Sequence, residues 1–317
     1  VTQSRPSRSR FLTALPALYA ATALPARAQS ATASVRVGAT ANDTYAEAYY
    51  AQDMGFFTKA GLAVEITTFT NGAAVSAAIA AGALDVGISN PVQLGNAVGR
   101  GIPFVYIAGG GLYSTTAPTT VLCVAKDSPI RNPKDFVNQT IAVSALKDVT
   151  DLGRSAYLEK NGVDPTSVKT IELPFAEMGP ALARGTIAGA VISEPSLTAG
   201  VSSDQTRVFA KCFDAIAPRF LISGWFTTKD WYAKNAAVAK RYVAAMYETA
   251  AWANVNHEQS GQILAKYSKI NAETARAMTR STYAVTLNPQ LIDPMLVLAM
   301  KAKITDRLVT ATEMIAH

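Results

Sequence analysis

Three features of the sequence predict an α/β fold made of two lobes. From Val35 onward, short β-branched runs alternate with amphipathic stretches of helical period, the pattern of helices packed on mainly parallel sheets. A polar, proline-containing segment at residues 127–134 interrupts that alternation and marks a change of lobe. After Trp231 the chain turns nearly all helical, as a segment that packs back over an existing sheet would.

Strands are predicted at residues 35–37, 64–67, 86–88, 105–107 and 121–124, then at 141–143, 170–173, 190–192, 208–209 and 221–226. The helices between them carry start and stop signals. A helix over 45–54 follows Asn42-Asp43-Thr44 and stops at Gly55; one over 73–81 follows Thr70-Asn71 and stops at Gly82. Pro91, favoured at a first helical position, opens 92–98 after Ser89-Asn90, and Gly99 closes it. Helices over 152–161 and 176–184 end at Gly162 and Gly185, and the late helices fall at 232–254, 258–266, 272–281 and 289–301. The chain is expected to cross between lobes near Cys123 to Lys126 and to return between Cys212 and Phe226. Residues 35–124 and 219–317 then form a discontinuous first lobe, and 125–218 the second.

A chain of 317 residues that is 49% hydrophobic and 16% charged has the material for a full core. Its net charge of +6 is unevenly spread: Arg5, Arg8, Arg10 and Arg27 supply +4 within residues 1–28, where there is no acid. The remainder is nearly balanced and has no basic stripe able to track phosphates, which excludes nucleic acid as a partner. Residues 1–28 read as an export leader, with a positive start, an apolar run over 11–24 and the small-x-small site Ala26-Arg27-Ala28. Cleavage near Ala28 would release a soluble periplasmic protein. Two cysteines, Cys123 and Cys212, lie outside the leader, so a lipid anchor is not expected; that compartment permits a disulfide between them.

Two segments carry a resemblance. Gly55-Phe56-Phe57-Thr58-Lys59-Ala60-Gly61-Leu62-Ala63-Val64-Glu65-Ile66, followed by Asn71-Gly72 and Ala80-Ala81-Gly82-Ala83-Leu84-Asp85-Val86-Gly87, resembles the opening lobe of nitrate/sulfonate/taurine-type substrate-binding proteins of ABC importers. That group also includes thiamine-pyrimidine binders. Ala188-Gly189-Ala190-Val191-Ile192-Ser193-Glu194-Pro195 is similar to the strand-to-helix turn of the family's second lobe, and residues 218–226 to its returning strand. The resemblance covers roughly residues 35–305. It implies a type II periplasmic-binding-protein fold, a monomer that closes on a small-molecule ligand, delivery to an ABC permease at the inner membrane, no cofactor and no catalysis. A small organic anion of the sulfonate, nitrate or taurine kind is the implied ligand. Turn chemistry alone also explains the glycines of these blocks.

In open parallel sheets, ligands bind beyond the carboxyl ends of the strands. The loops expected there are short, polar and run into helix N-termini, which offer unpaired N–H groups. They nominate Thr40, Asn42 and Asp43 after the first strand, Asn71 after the second, and Ser89 and Asn90 after the third. Ser144 and Glu194 are nominated from the second lobe, and Trp225 and Tyr113 to pack on a flat ligand face. Each polar residue serves equally well as an N-cap, worth about 1 kcal/mol to its helix; the convergence of several at one sheet end is what points to a ligand. Asp43 and Glu194, if they face the cleft, favour a pyrimidine-like or aromatic ligand over an anion.

Catalytic signatures are scarce. The two histidines are His257, on a polar helix, and the terminal His317, and no HExxH, CxxC or GxSxG is present. Some fungal pyrimidine-synthesising enzymes resemble the same family and use active-site His and Lys residues; on this chain that role would fall to His257 or Lys147.

Overall fold

The computed structural model describes residues 1–4 and 32–316, so nearly all of the leader read over 1–28, and His317, lie outside the described residues. The strands are β1 (Ala33–Thr40), β2 (Leu62–Phe69), β3 (Val86–Ser89), β4 (Phe104–Gly109), β5 (Gly111–Ser114), β6 (Thr120–Ala125) and β7 (Thr140–Val143). They continue with β8 (Lys169–Glu172), β9 (Gly189–Ser193), β10 (Thr206–Ala210), β11 (Arg219–Leu221), β12 (Gly224–Thr228) and β13 (Thr282–Tyr283). One five-stranded sheet has the order β2-β1-β3-β12-β4 and a second the order β10-β6-β9-β7-β8. A small third sheet, β11-β5-β13, stands apart from both.

Each large sheet is parallel apart from one reversed strand. β12 runs antiparallel to both β3 and β4, and β6 runs antiparallel to both β9 and β10. The reversed strands are the first that the chain forms in each large sheet after crossing from the other lobe. A strand fed in from the carboxyl end of a parallel sheet must run against its neighbours. The expected mainly parallel lobes are thus present as mixed sheets.

Side chains on both faces are buried, as helices on each side require. Along β6, Val121 and Cys123 enter one core cluster, and Leu122 and Val124 enter another. In β9, Ala190 and Ile192 pack with the first set and Val191 with the second. Period-two alternation therefore fills two layers of core from one strand.

Several predicted elements shift. Residues 120–125, next to the expected crossing at 123–126, pair within the second sheet as β6. The run predicted as one strand at 221–226 divides into β11 and β12, which belong to different sheets. β5 begins at the last glycine of Gly109-Gly110-Gly111, and it pairs antiparallel with β11 from Leu112↔Leu221 to Ser114↔Arg219. The long late helix separates into Lys229–Lys234 and Ala236–Ala253, with Asn235 between them. Both cysteines are free and fully buried. Burial pushes the Cys123 thiol up to about 12 and raises Cys212 as well, so both behave as small apolar side chains.

Candidate functional site

The loops that leave β1, β2, β7 and β9 at their carboxyl ends meet across the gap between the two large sheets. They enclose an inner chamber of about 20 Å³, room for one small group. The first lobe lines it with Asn42, Thr44, Tyr45 and Asn71, and the second with Thr120, Ser144, Asp148, Thr150 and Ser193. Phe175, Phe213, Ile222 and Val149 supply its apolar surface.

Two helices present their N-termini here because their caps are the site residues. The Asn71 Oδ1 accepts from the Ala74 N–H at 3.0 Å at the start of helix Gly72–Ala80. Its Nδ2 donates across the gap to the Ser144 carbonyl at 3.1 Å, so one amide both caps a helix and ties the lobes. Asp148 caps helix Val149–Lys160: its Oδ1 accepts from the Thr150 N–H at 2.8 Å, the Thr150 hydroxyl at 2.6 Å and the Asp151 N–H at 3.1 Å. Its Oδ2 accepts from the Ser144 hydroxyl at 2.6 Å. Burial pushes the Asp148 carboxyl up to about 6 despite these donors. Tyr45, kept neutral by burial, lies near enough to Asp148 to feel its charge. On the other wall the Thr120 hydroxyl donates to the Ser193 hydroxyl at 3.0 Å.

The nominated residues divide into two groups. Asn42, Asn71 and Ser144 line the inner chamber, and Thr40 lines an adjoining outer one. Ser89 and Asn90 sit immediately behind it. The Ser89 hydroxyl donates to the Gly72 carbonyl, and Asn90 caps helix Pro91–Gly99 through the Gln93 N–H.

Asp43, Glu194, Trp225 and Tyr113 line neither chamber. The fully buried Asp43 carboxylate is taken up by Arg280, whose Nη2 donates at 2.9 Å, and by Tyr50 and the Ser281 N–H. Burial opposes the Arg280 charge, but Asp43 outweighs it and holds that guanidinium above its ordinary pKa. Glu194 folds back on its own helix, accepting from the Thr198 N–H and hydroxyl, and also from the Thr279 N–H at 3.2 Å. Burial pushes its carboxyl up to about 7. The Trp225 ring lies in the core, where Nε1 donates at 3.0 Å to Glu47, a buried acid raised well above its usual pKa by desolvation. Tyr113 stacks on Phe220 and donates to Asp214 at 2.6 Å.

Sequence reasoning passed over Tyr45, Asp148, Thr150, Phe175 and Phe213. Asp148 and Thr150 stand at the cap and first turn of helix Val149–Lys160, and the cap spacing of Asp148 before a helical run was the available signal. Phe175 and Phe213 enter from distant turns and leave no local trace.

The inner chamber's lining includes one carboxyl and, among the described residues, no Lys, Arg or His. The chemistry such a wall can offer is hydrogen bonding that holds and orients a polar group. His257 and Lys147 line neither chamber. No group of His, Cys, Asp or Glu among the described residues could hold a metal ion, and no described helix is long and apolar enough to cross a membrane.

The fold is shared with solved solute-binding structures. The periplasmic aliphatic sulphonate binding protein SsuA of Escherichia coli superposes with a TM-score of 0.72 at 19% identity, over 89% of this chain and 97% of that one. The alkanesulfonate-binding protein SsuA of Xanthomonas axonopodis pv. citri, bound to MOPS, gives 0.78 at 14% identity, over 90% and 99%. The periplasmic nitrate-binding protein NrtA of Synechocystis PCC 6803 gives 0.67 at 18%, over 77% and 69%. These likenesses establish a type II periplasmic-binding-protein fold. No curated protein sequence matches the chain. The family profile described as NMT1/THI5 like matches residues 42–260, more than half of the sequence, and the chain belongs to that family.

Proposed function

We propose that this protein is the solute-binding component of an ABC importer, capturing a small organic solute between its lobes and presenting the closed form to a permease. One observation carries the reading: the polar wall of the inner chamber is shared, with Asn42, Tyr45 and Asn71 from one lobe facing Ser144, Asp148 and Ser193 from the other. A solute that touches both walls favours the closed arrangement over the open one, which is how binding becomes a signal to a partner. The leader read in residues 1–28 supports export to a periplasm, where such a component works.

The solute class follows from the wall. The small organic anion implied by the resemblance would find two helix N-termini here, but no cationic side chain, and a buried carboxyl beside it. A solute that donates hydrogen bonds, of the pyrimidine-like or aromatic class, fits Asp148, Asn42 and the Thr120–Ser193 hydroxyls better. Thermal-shift measurements with sulfonates, nitrate, aromatic acids and pyrimidines test both levels. Nitrogen-bearing heterocycles are expected to raise Tm by several degrees at a hundredfold excess over Kd, and nitrate is expected to leave it unmoved. Stabilisation by no class of solute would sink the importer reading; stabilisation by sulfonates alone would sink the choice of class.

A further inference from the structure

The inner chamber is too small for a ring or a chain, yet it opens beside a much larger space. An outer chamber of about 580 Å³ shares Asn42 and Phe175 with it. That volume falls in the range of sites that bury a whole organic molecule. Phe69, Tyr267 and Ile270 form one side of the outer chamber, and Pro174, Phe175 and Pro180 the other. Gly179 and Gly200 also belong to the second side. Tyr267 is fixed in place by stacking on Tyr49 at 4.3 Å and by its hydroxyl, which donates to Asp53 at 2.6 Å. No carboxylate belongs to this lining among the described residues, and the charge present is Lys269, exposed at the rim. Thr40 also lines it, with a buried hydroxyl that has no hydrogen-bond partner among the described residues.

We propose that the two chambers form one divided site for an elongated solute: an amino- or amide-type nitrogen head enters the inner chamber, and a flat apolar body lies in the outer one. The proposal rests on the importer reading and adds a subsite to it. Size separates the compartments by ligand part. The inner chamber admits one small group against Asp148, Asn42 and Tyr45. The outer chamber is lined by the Phe69, Phe175 and Tyr267 rings together with Pro174 and Pro180, surfaces on which an aromatic plane packs.

Titration calorimetry with matched pairs tests the division. Each pair keeps its head and changes its body: acetamide against benzamide, methylammonium against benzylammonium, methanesulfonate against benzenesulfonate. The aromatic member of the amide or ammonium pair is expected to bind at least about tenfold more tightly than its methyl counterpart. Ala176→Trp, an exposed position on the outer chamber's wall, should erase that preference and leave the methyl member's affinity within about twofold. Thr70→Trp, from the first lobe's rim, provides a second obstruction should the first variant fold poorly.

Methyl members that bind as tightly as aromatic ones would overturn the divided site while leaving solute capture intact. An aromatic preference that survives both Trp substitutions would overturn the placement of the body in the outer chamber. Binding of neither member of any pair would overturn the divided site and the importer reading together.

Discussion

At the scale of single residues, the first lobe is organised around one carboxylate. Asp43 is fully buried, pairs with Arg280 and receives Tyr50, and its carbonyl accepts from the Tyr283 hydroxyl. Removing one partner of such a pair leaves an uncompensated buried charge. Arg280→Met is therefore expected to cost about 3–5 kcal/mol in urea unfolding. Adding Asp43→Asn to it should recover a large part of that loss, because the stranded charge goes with it. A double variant no more stable than Arg280→Met alone would contradict this account. From the sequence, Asp43 reads as a cleft carboxylate, since it follows a strand and precedes a helix. Its partner lies 237 residues away, and nothing local announces the pair. Glu194 and Trp225 likewise have partners far along the chain, Thr279 and Glu47, although Glu194 also accepts from nearby Thr198.

Elements are more legible than partners. Cap residues and glycine stops locate most of the helices that flank the sheets to within a few residues, because those signals are local and cheap to satisfy. What escapes is pairing between distant strands. β5 begins at a glycine and follows two more, yet it forms because β11 and β13 offer it hydrogen-bonding edges. Close packing between elements is likewise invisible in the sequence, and Gly153 shows its cost. A methyl group there would sit 2.4 Å from the Phe213 ring, although alanine is the better helix former. Gly153→Ala is expected to destabilise by about 1–3 kcal/mol, read as a lowered urea midpoint. It should also weaken solute binding, because Phe213 lines the inner chamber. An unchanged midpoint and affinity would show that the ring moves freely.

For the whole molecule, Glu194 and Asn71 supply hydrogen bonds that join one lobe to the other. The Glu194 carbonyl accepts from the Asp43 N–H at 3.1 Å, and its carboxyl from the Thr279 N–H. Burial first, with the Asp43 charge a smaller influence, lifts the Glu194 carboxyl from its ordinary 4.5 to about 7, and Cys123 is the other titratable group near it. Asp148 rises from 3.8 to about 6. Both folded values exceed the unfolded ones, so the native state binds more protons between them. Their contribution to stability is complete below about pH 4 and is lost as pH climbs through 7. Unfolding free energy is thus expected to decline across that window, and Glu194→Gln should flatten the decline by on the order of 2 kcal/mol. A profile identical in wild type and Glu194→Gln would remove Glu194 from the explanation.

The narrow β5–β11 ribbon has a mechanical consequence. Paired strands resist sliding along their length but flex across it, so the lobe closure proposed above would turn about that ribbon. Phe213 packs edge-on against Tyr113 and at a tilt against Phe220 of that ribbon and also lines the inner chamber, whereas Lys269 stands at the outer rim. The inner compartment therefore borders the ribbon, and no ribbon residue lines the outer one. A few degrees of rotation barely alter the near one and displace the walls of the far one by much more. Discrimination should be strict for the part of a solute that goes deepest and lenient for the part that trails, as in a pair of tweezers gripping close to the joint.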